Sequence, residues 1–220
     1  MSTADPPAAT PTTLVAAVPG SPPVFLGGGD CDATGPFVRW VVENRDVVAH
    51  DLVIETRGEQ PVEIALDAGE AAGGTFLTDR RPNEPRRFVA GWSDAPESRS
   101  VLVFRPDLCA PGYETPARGP TFVAGASCVD DTPTIEWHLE NSAPSDRVMN
   151  VTVTDDRNEG EVVVWPEDGG TVQAVPGADL DGSAPVPAGF AAGAEIRVRA
   201  WWRTNDPNTH SRVAAFVPEC

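Results

Sequence analysis

The sequence predicts an all-β protein built from two tandem sandwiches, and three observations carry that expectation. Apolar residues alternate with polar ones at period two, turn-forming residues punctuate these runs, and one pattern occurs twice. The stretch CDATGPFVRWVVEN, Cys31 to Asn44, returns as CVDDTPTIEWHLEN, Cys128 to Asn141, with cysteine, tryptophan, glutamate and asparagine all displaced by 97 positions. Duplication at fixed spacing marks a building block more than a catalytic constellation.

Taken in order, residues 1–22 are rich in Pro, Thr and Ala and read as a stalk or linker. The first repeat occupies 23–109, with strands expected at PFVRWVVE, HDLVIET, PVEIAL, GGTFLT, RRFVAGW and SVLVF. A short Pro-containing connector at 110–119 leads to the second repeat, 120–220. There TIEWHLE places Ile135, Trp137 and Leu139 on one face and Glu136, His138 and Glu140 on the other. VMNVTVT sets Met149, Val151 and Val153 against Asn150, Thr152 and Thr154. EIRVRAWWR buries Ile196, Val198, Ala200 and Trp202. With a strand before each first cysteine, the count is about seven per repeat. Trp40, Trp92, Trp137 and Trp202 fall on apolar sides and read as core, where an indole N–H wants an acceptor. Trp165, before a proline, reads as a sandwich cap or a residue between the repeats.

Composition narrows the function. The chain has 220 residues, 40% of them hydrophobic, with six tryptophans, 23 prolines and 20 glycines, which suits globular, turn-rich sandwiches. All 16 basic residues are arginine, so no lysine is present for an isopeptide cross-link or a Schiff base. The net charge of −17 is shared by both halves and repels nucleic acid and anionic membrane surfaces. No apolar run reaches the length of a membrane span, and the N-terminus lacks a basic, apolar leader. The expectation is an ectodomain cut from, or processed out of, a longer surface protein.

Four cysteines bracket the repeats, and the duplication favours Cys31–Cys109 and Cys128–Cys220 over the other two connectivities. Such bridges imply an oxidising, extracellular compartment. Cysteine, tryptophan and cysteine on about seven short strands predict an immunoglobulin-like or fibronectin-like sandwich. Here the second cysteine follows the final strand, after the matching endings VFRPDLC and AFVPEC, so each bridge joins first strand to last. The arrangement resembles tandem immunoglobulin-like modules of actinobacterial cell-wall and secreted proteins, in which a W-x-V-x-N strand followed by a polar turn is common. The likeness spans about 190 residues and implies architecture rather than activity.

The candidate sites lie where the repeats differ. Trp201 replaces Gly91 and points outward among Arg197, Arg199 and Arg203, either covered by guanidinium stacking or presented as a binding platform. GADLDGS carries a fragment of calcium-loop spacing with Asp179 and Asp181, and Asp130, Asp131, Asp155 and Asp156 add acidity, all read first as solvated turns. His50, His138 and His210 are scattered; the first two are expected to be exposed, and TNDPNTH is expected to be the loop between the last two strands. No catalytic motif is recognisable, so no enzyme and no cofactor are expected. The expected function is a structural or adhesive surface module in which tension passes through the disulfide. The partner is another cell-surface protein, a second copy in a filament or layer, or a glycan at Trp201, with calcium as a further ligand of the acidic loops.

Overall fold

A computed structural model describes residues 20–32, 35–77, 86–95, 97–104, 121–141, 144–157, 159–203 and 210–220, with the side chains of 30–36, 77, 104, 203 and 210–212 excepted. Residues 1–19 of the expected 1–22 stalk, the connector (110–119), Cys109, and the 204–209 loop lie outside them. Fifteen strands and no helix are found among the described residues, so none holds a helix long and apolar enough to cross a membrane. The first repeat supplies β1 (Val24–Asp32), β2 (Gly35–Glu43), β3 (His50–Thr56), β4 (Val62–Leu66), β5 (Ala71–Leu77), β6 (Arg86–Trp92) and β7 (Arg99–Phe104). The second supplies β8 (Thr121–Val129), β9 (Thr132–Glu140), β10 (Arg147–Asp155), β11 (Val162–Trp165), β12 (Val172–Ala174), β13 (Asp179–Pro185), β14 (Glu195–Arg203) and β15 (His210–Phe216). The extra strand arises because the counterpart of β4 is split. Both β11 and β12 pair with β10, on either side of residues 166–171, with a bulge at Val151/Thr152.

The strands form two sheets, and each sheet contains strands from both repeats. One runs β13-β9-β8-β1-β2-β5; the other runs β11-β10-β14-β15-β7-β6-β3-β4, with β12 beside β10. In the first sheet the repeats meet where Gly27 pairs with Ala124, its own counterpart 97 residues on. In the second, Val103 pairs with Ala214. These two are counterparts as well, because Ala90 opposes Ser100 in one repeat as Ala200 opposes Ser211 in the other. Counterpart strands thus pair antiparallel about counterpart residues in both sheets, the arrangement that a twofold axis gives. Their apolar residues, Phe25 and Leu102 with Phe122 and Val213 among them, belong to one contiguous core.

Two duplicated features and one disulfide build this frame. Trp40 and Trp137 are 5% and 2% exposed, and each covers a glycine of the neighbouring edge strand. A Cβ on Gly74 would stand 2.7 Å from Trp40 Cζ2, and one on Gly182 would overlap the Trp137 ring. An aromatic side chain thus fills the space that an edge glycine leaves. Both indole N–H groups are buried with no hydrogen-bond acceptor among the described residues, against the expectation that they find one; packing over glycine has set the ring position instead. Asn44 and Asn141, both fully buried, donate through Nδ2 to Val48, Leu66 and Asp67 carbonyls and to Ser145 and Ala174 carbonyls respectively. Each asparagine therefore satisfies the backbone of two loops at once. Finally, Cys128 of β8 is bridged to Cys220, which follows β15, at a Cα–Cα distance of 5.7 Å.

The seam between halves depends on glycine. A Cβ on Gly28 would overlap the Phe122 carbonyl oxygen, and one on Gly125 would overlap that of Phe25, the symmetry-equivalent contact. Backbone cannot yield as a side-chain tip does. Gly28→Ala and Gly125→Ala are each expected to cost about 3 kcal/mol or more, the upper range for overpacking. Urea unfolding of each variant against the parent protein checks this.

Candidate functional site

The face carrying Trp201 is more closed than its sequence suggests. Trp201 is half-buried, and its indole N–H lies 3.1 Å from both Thr152 Oγ1 and Glu161 Oε1. The Arg199 guanidinium sits 5.9 Å from the centre of the ring, and Arg199 itself is only 9% exposed. Burial lowers the pKa of Arg199 from its ordinary value, Glu161 opposes that shift, and Arg197 adds to it. Arg197 is half-buried on the same face, and the Arg203 side chain lies outside the described residues. The sheet thus brings Trp201, Arg197 and Arg199 together, with Trp201 held by two acceptors of its own half.

The acidic stretches resolve into separate roles. Asp130 and Asp131 both have positive φ, 47° and 58°, and form the two-residue turn between β8 and β9. Aspartate tolerates this left-handed backbone, which explains its presence there. Asp155 Oδ1 accepts from the amides of Arg157 and Glu159 and so caps its own turn, with Asp156 exposed beside it. Asp179 and Asp181 do not lie in a turn. They belong to β13, whose alternating exposure faces both carboxylates outward while Leu180 and Gly182 face inward. In register, Asp181 opposes His138 and Asp179 opposes Glu140. His138 Nδ1 lies 2.5 Å from Asp181 Oδ1 and 3.2 Å from Asp179 Oδ1, so these three side chains converge on one point. The DxDG spacing hinted at a ligand set, but His138 was hidden because nothing local to it announces the strand opposite.

Neither His50 nor His138 is fully exposed as expected, since each is drawn onto carboxylates. The His50 side chain is only 8% exposed and stacks on Trp92 with ring centres 4.8 Å apart. Its Nε2 lies 3.1 Å from Asp46 and its Nδ1 3.0 Å from Asp94. Asp46 also accepts the Gly20 amide at 2.8 Å, while the Trp92 indole donates to the Ser21 carbonyl at 2.8 Å. The group therefore clasps residues 20 and 21 to the body, beside an open groove of about 400 Å³ lined by His50, Asp67, Glu70 and Asp94. A second polar cluster crosses between halves. Arg45 of the first reaches Glu136 of the second at 2.5 Å, and Glu136 in turn accepts from Ser127. Trp165 joins neither; it packs on the core from β11, at the sheet margin farthest from the junction.

A scan of the chain against protein-family models finds no match, and a search of curated proteins finds no relative.

Burial alone would depress the His50 pKa, but the bonds to Asp46 and Asp94 outweigh it and hold it above the ordinary 6.5. For Asp46, burial works upward, and the His50 bond with the Gly20 and Val47 amides brings the net value below the ordinary 3.8. A raised histidine pKa gives stabilisation that is complete below pH 6.5 and is lost as pH rises through the folded-state value; the Asp46 contribution is present above pH 3.8 and is lost in acid. The melting temperature is therefore expected to fall as pH rises from 6.5, and His50→Gln to flatten that fall. Identical pH profiles for the two proteins would remove this role.

Proposed function

We propose that the chain is a non-catalytic, extracellular module of a bacterial surface protein, with an adhesive or structural role. In this reading its halves are immunoglobulin-like sandwiches, each closed by its own bridge and fused side by side. One observation carries it: the duplicated tryptophans, asparagines and seam glycines are all spent on the frame, and both sheets run unbroken through the two halves. The Cys128–Cys220 bridge supports an oxidising compartment, and Cys31–Cys109 is the matching bridge that the reading requires.

The seam favours adhesion over an in-line spacer. Because β1 and β8 are antiparallel about Gly27 and Ala124, the start of β1 and Cys128 lie at the same end of it. Residues 20–23 and Cys220 accordingly lie towards that end, and load applied between them peels the seam instead of shearing it. A module held at one end presents its opposite end and its sheet faces to a partner.

Assembly into a filament or layer is the second reading, favoured by the β5 edge. Ala71, Gly73, Gly74 and Thr75 are exposed there with no charge to block strand addition, whereas the opposite edge, β13, carries Asp179 and Asp181. Sedimentation equilibrium separates the two. The adhesive module is expected as a single 23.2 kDa species. Larger multiples that dissolve in Thr75→Lys would overturn it in favour of assembly through β5.

A further inference from the structure

We propose that His138, Asp179 and Asp181 bind a first-row divalent metal ion, of the zinc or manganese class, on the outer face of the six-stranded sheet. The donor atoms, Nδ1 of the histidine and one oxygen of each aspartate, all lie within 4.8 Å of one another. Two carboxylate oxygens converge on a single imidazole nitrogen, at 2.5 and 3.2 Å. That nitrogen has one in-plane direction, with one proton or one lone pair, so a hydrogen bond serves only one oxygen fully. A cation seated between the three serves them all and removes the repulsion between the carboxylates. Among the described residues, no arginine pairs with either aspartate.

The scaffold and the symmetry point the same way. The ligands stand on two hydrogen-bonded strands, β9 and β13, and not on loops, so their backbone spacing is fixed before any ion arrives. The first repeat is an internal control for what the frame itself needs. Its β2–β5 pair has the same register, with Val41 opposite Gly73 and Glu43 opposite Ala71, where the second has His138 opposite Asp181 and Glu140 opposite Asp179. The three ligands replace valine, glycine and alanine, so neither packing nor edge geometry demands them.

The donor set selects the class of ion. One imidazole and two carboxylates suit zinc or manganese, at about 2.0–2.2 Å for zinc. Calcium asks for six or more oxygens, which this patch does not converge. Three protein ligands leave a position for water or a further carboxylate, and Glu140 stands in register opposite Asp179. The bound ion would tie the edge strand β13 to β9. This site is independent of the surface-module reading and can fail or hold without it.

The test uses the full chain, stripped with chelator and titrated with zinc chloride by calorimetry. One equivalent is expected to bind, His138→Ala and Asp181→Asn are each expected to weaken binding by about tenfold or more, and Asp155→Asn to leave it unchanged. Saturating zinc is expected to raise the melting temperature of the parent and not that of His138→Ala. The side chains are on an outer face, and the near-isosteric Asp181→Asn keeps the test valid if His138→Ala folds poorly. Absence of saturable binding, equal affinity in both variants, or calcium binding as tightly as zinc would overturn the proposal.

Discussion

The two extended backbones that cross at Gly28 and Gly125 set the constraint on which the rest of the molecule depends. At those points the carbonyls of Phe122 and Phe25 occupy the space where side chains would stand. Only glycine allows β1 and β8 to approach, and only that approach lets each sheet continue from one half into the other. The consequence reaches through the sandwich. A Cβ on Gly27 would meet Leu102 of β7 at 2.5 Å, so the seam in one sheet is packed directly against the seam in the other. Two small cores that would each expose a large fraction of their surface become one.

A pseudo-symmetric pair need not have symmetric surfaces, and this one divides its labour. Buried positions are held to the repeat because each answers a local demand that arises twice. Asn44 and Asn141 close loops that contain equivalent unsatisfied carbonyls, and the two tryptophans roof equivalent glycines. The outer faces have no such demand and have diverged. Trp201 stands where Gly91 lies; His138 stands where Val41 lies. Even the polar links between halves break the symmetry, since Glu136, bound to Arg45 and Ser127, occupies the counterpart position of Arg39.

Much of this was legible in the amino-acid order, and the remainder was hidden for identifiable reasons. Period-two alternation placed Ile135, Trp137 and Leu139, and Met149, Val151 and Val153, on the buried side, and all six are buried. The cysteine bracket found Cys128–Cys220. What alternation does not encode is the partner of an edge. Nothing in VFLGGGDCD says that its glycines serve a neighbouring strand, so the continuous sheets could not be read. Local polarity likewise made GADLDGS look like a turn, although Gly182 is there because Trp137 needs the room. His50 looked exposed because the carboxylates that bury it, Asp46 and Asp94, are brought together only by the fold.

The same blindness explains where function should be sought in a chain of this kind. A residue that the frame requires appears in both halves, so repetition marks it and removes it from suspicion. A residue that the frame does not require appears once, but most such residues are ordinary surface. The discriminating property is convergence. Trp201 is unique, yet its N–H and ring are met by Thr152, Glu161 and Arg199 of its own half, which leaves it little to offer a ligand. Asp155 is unique and satisfied by its own turn. His138, Asp179 and Asp181 are unique, brought together by strand register, and oversupplied with acceptors for one nitrogen. Of the features that the second half has acquired, this cluster is the one that strand register gathers into a single donor set.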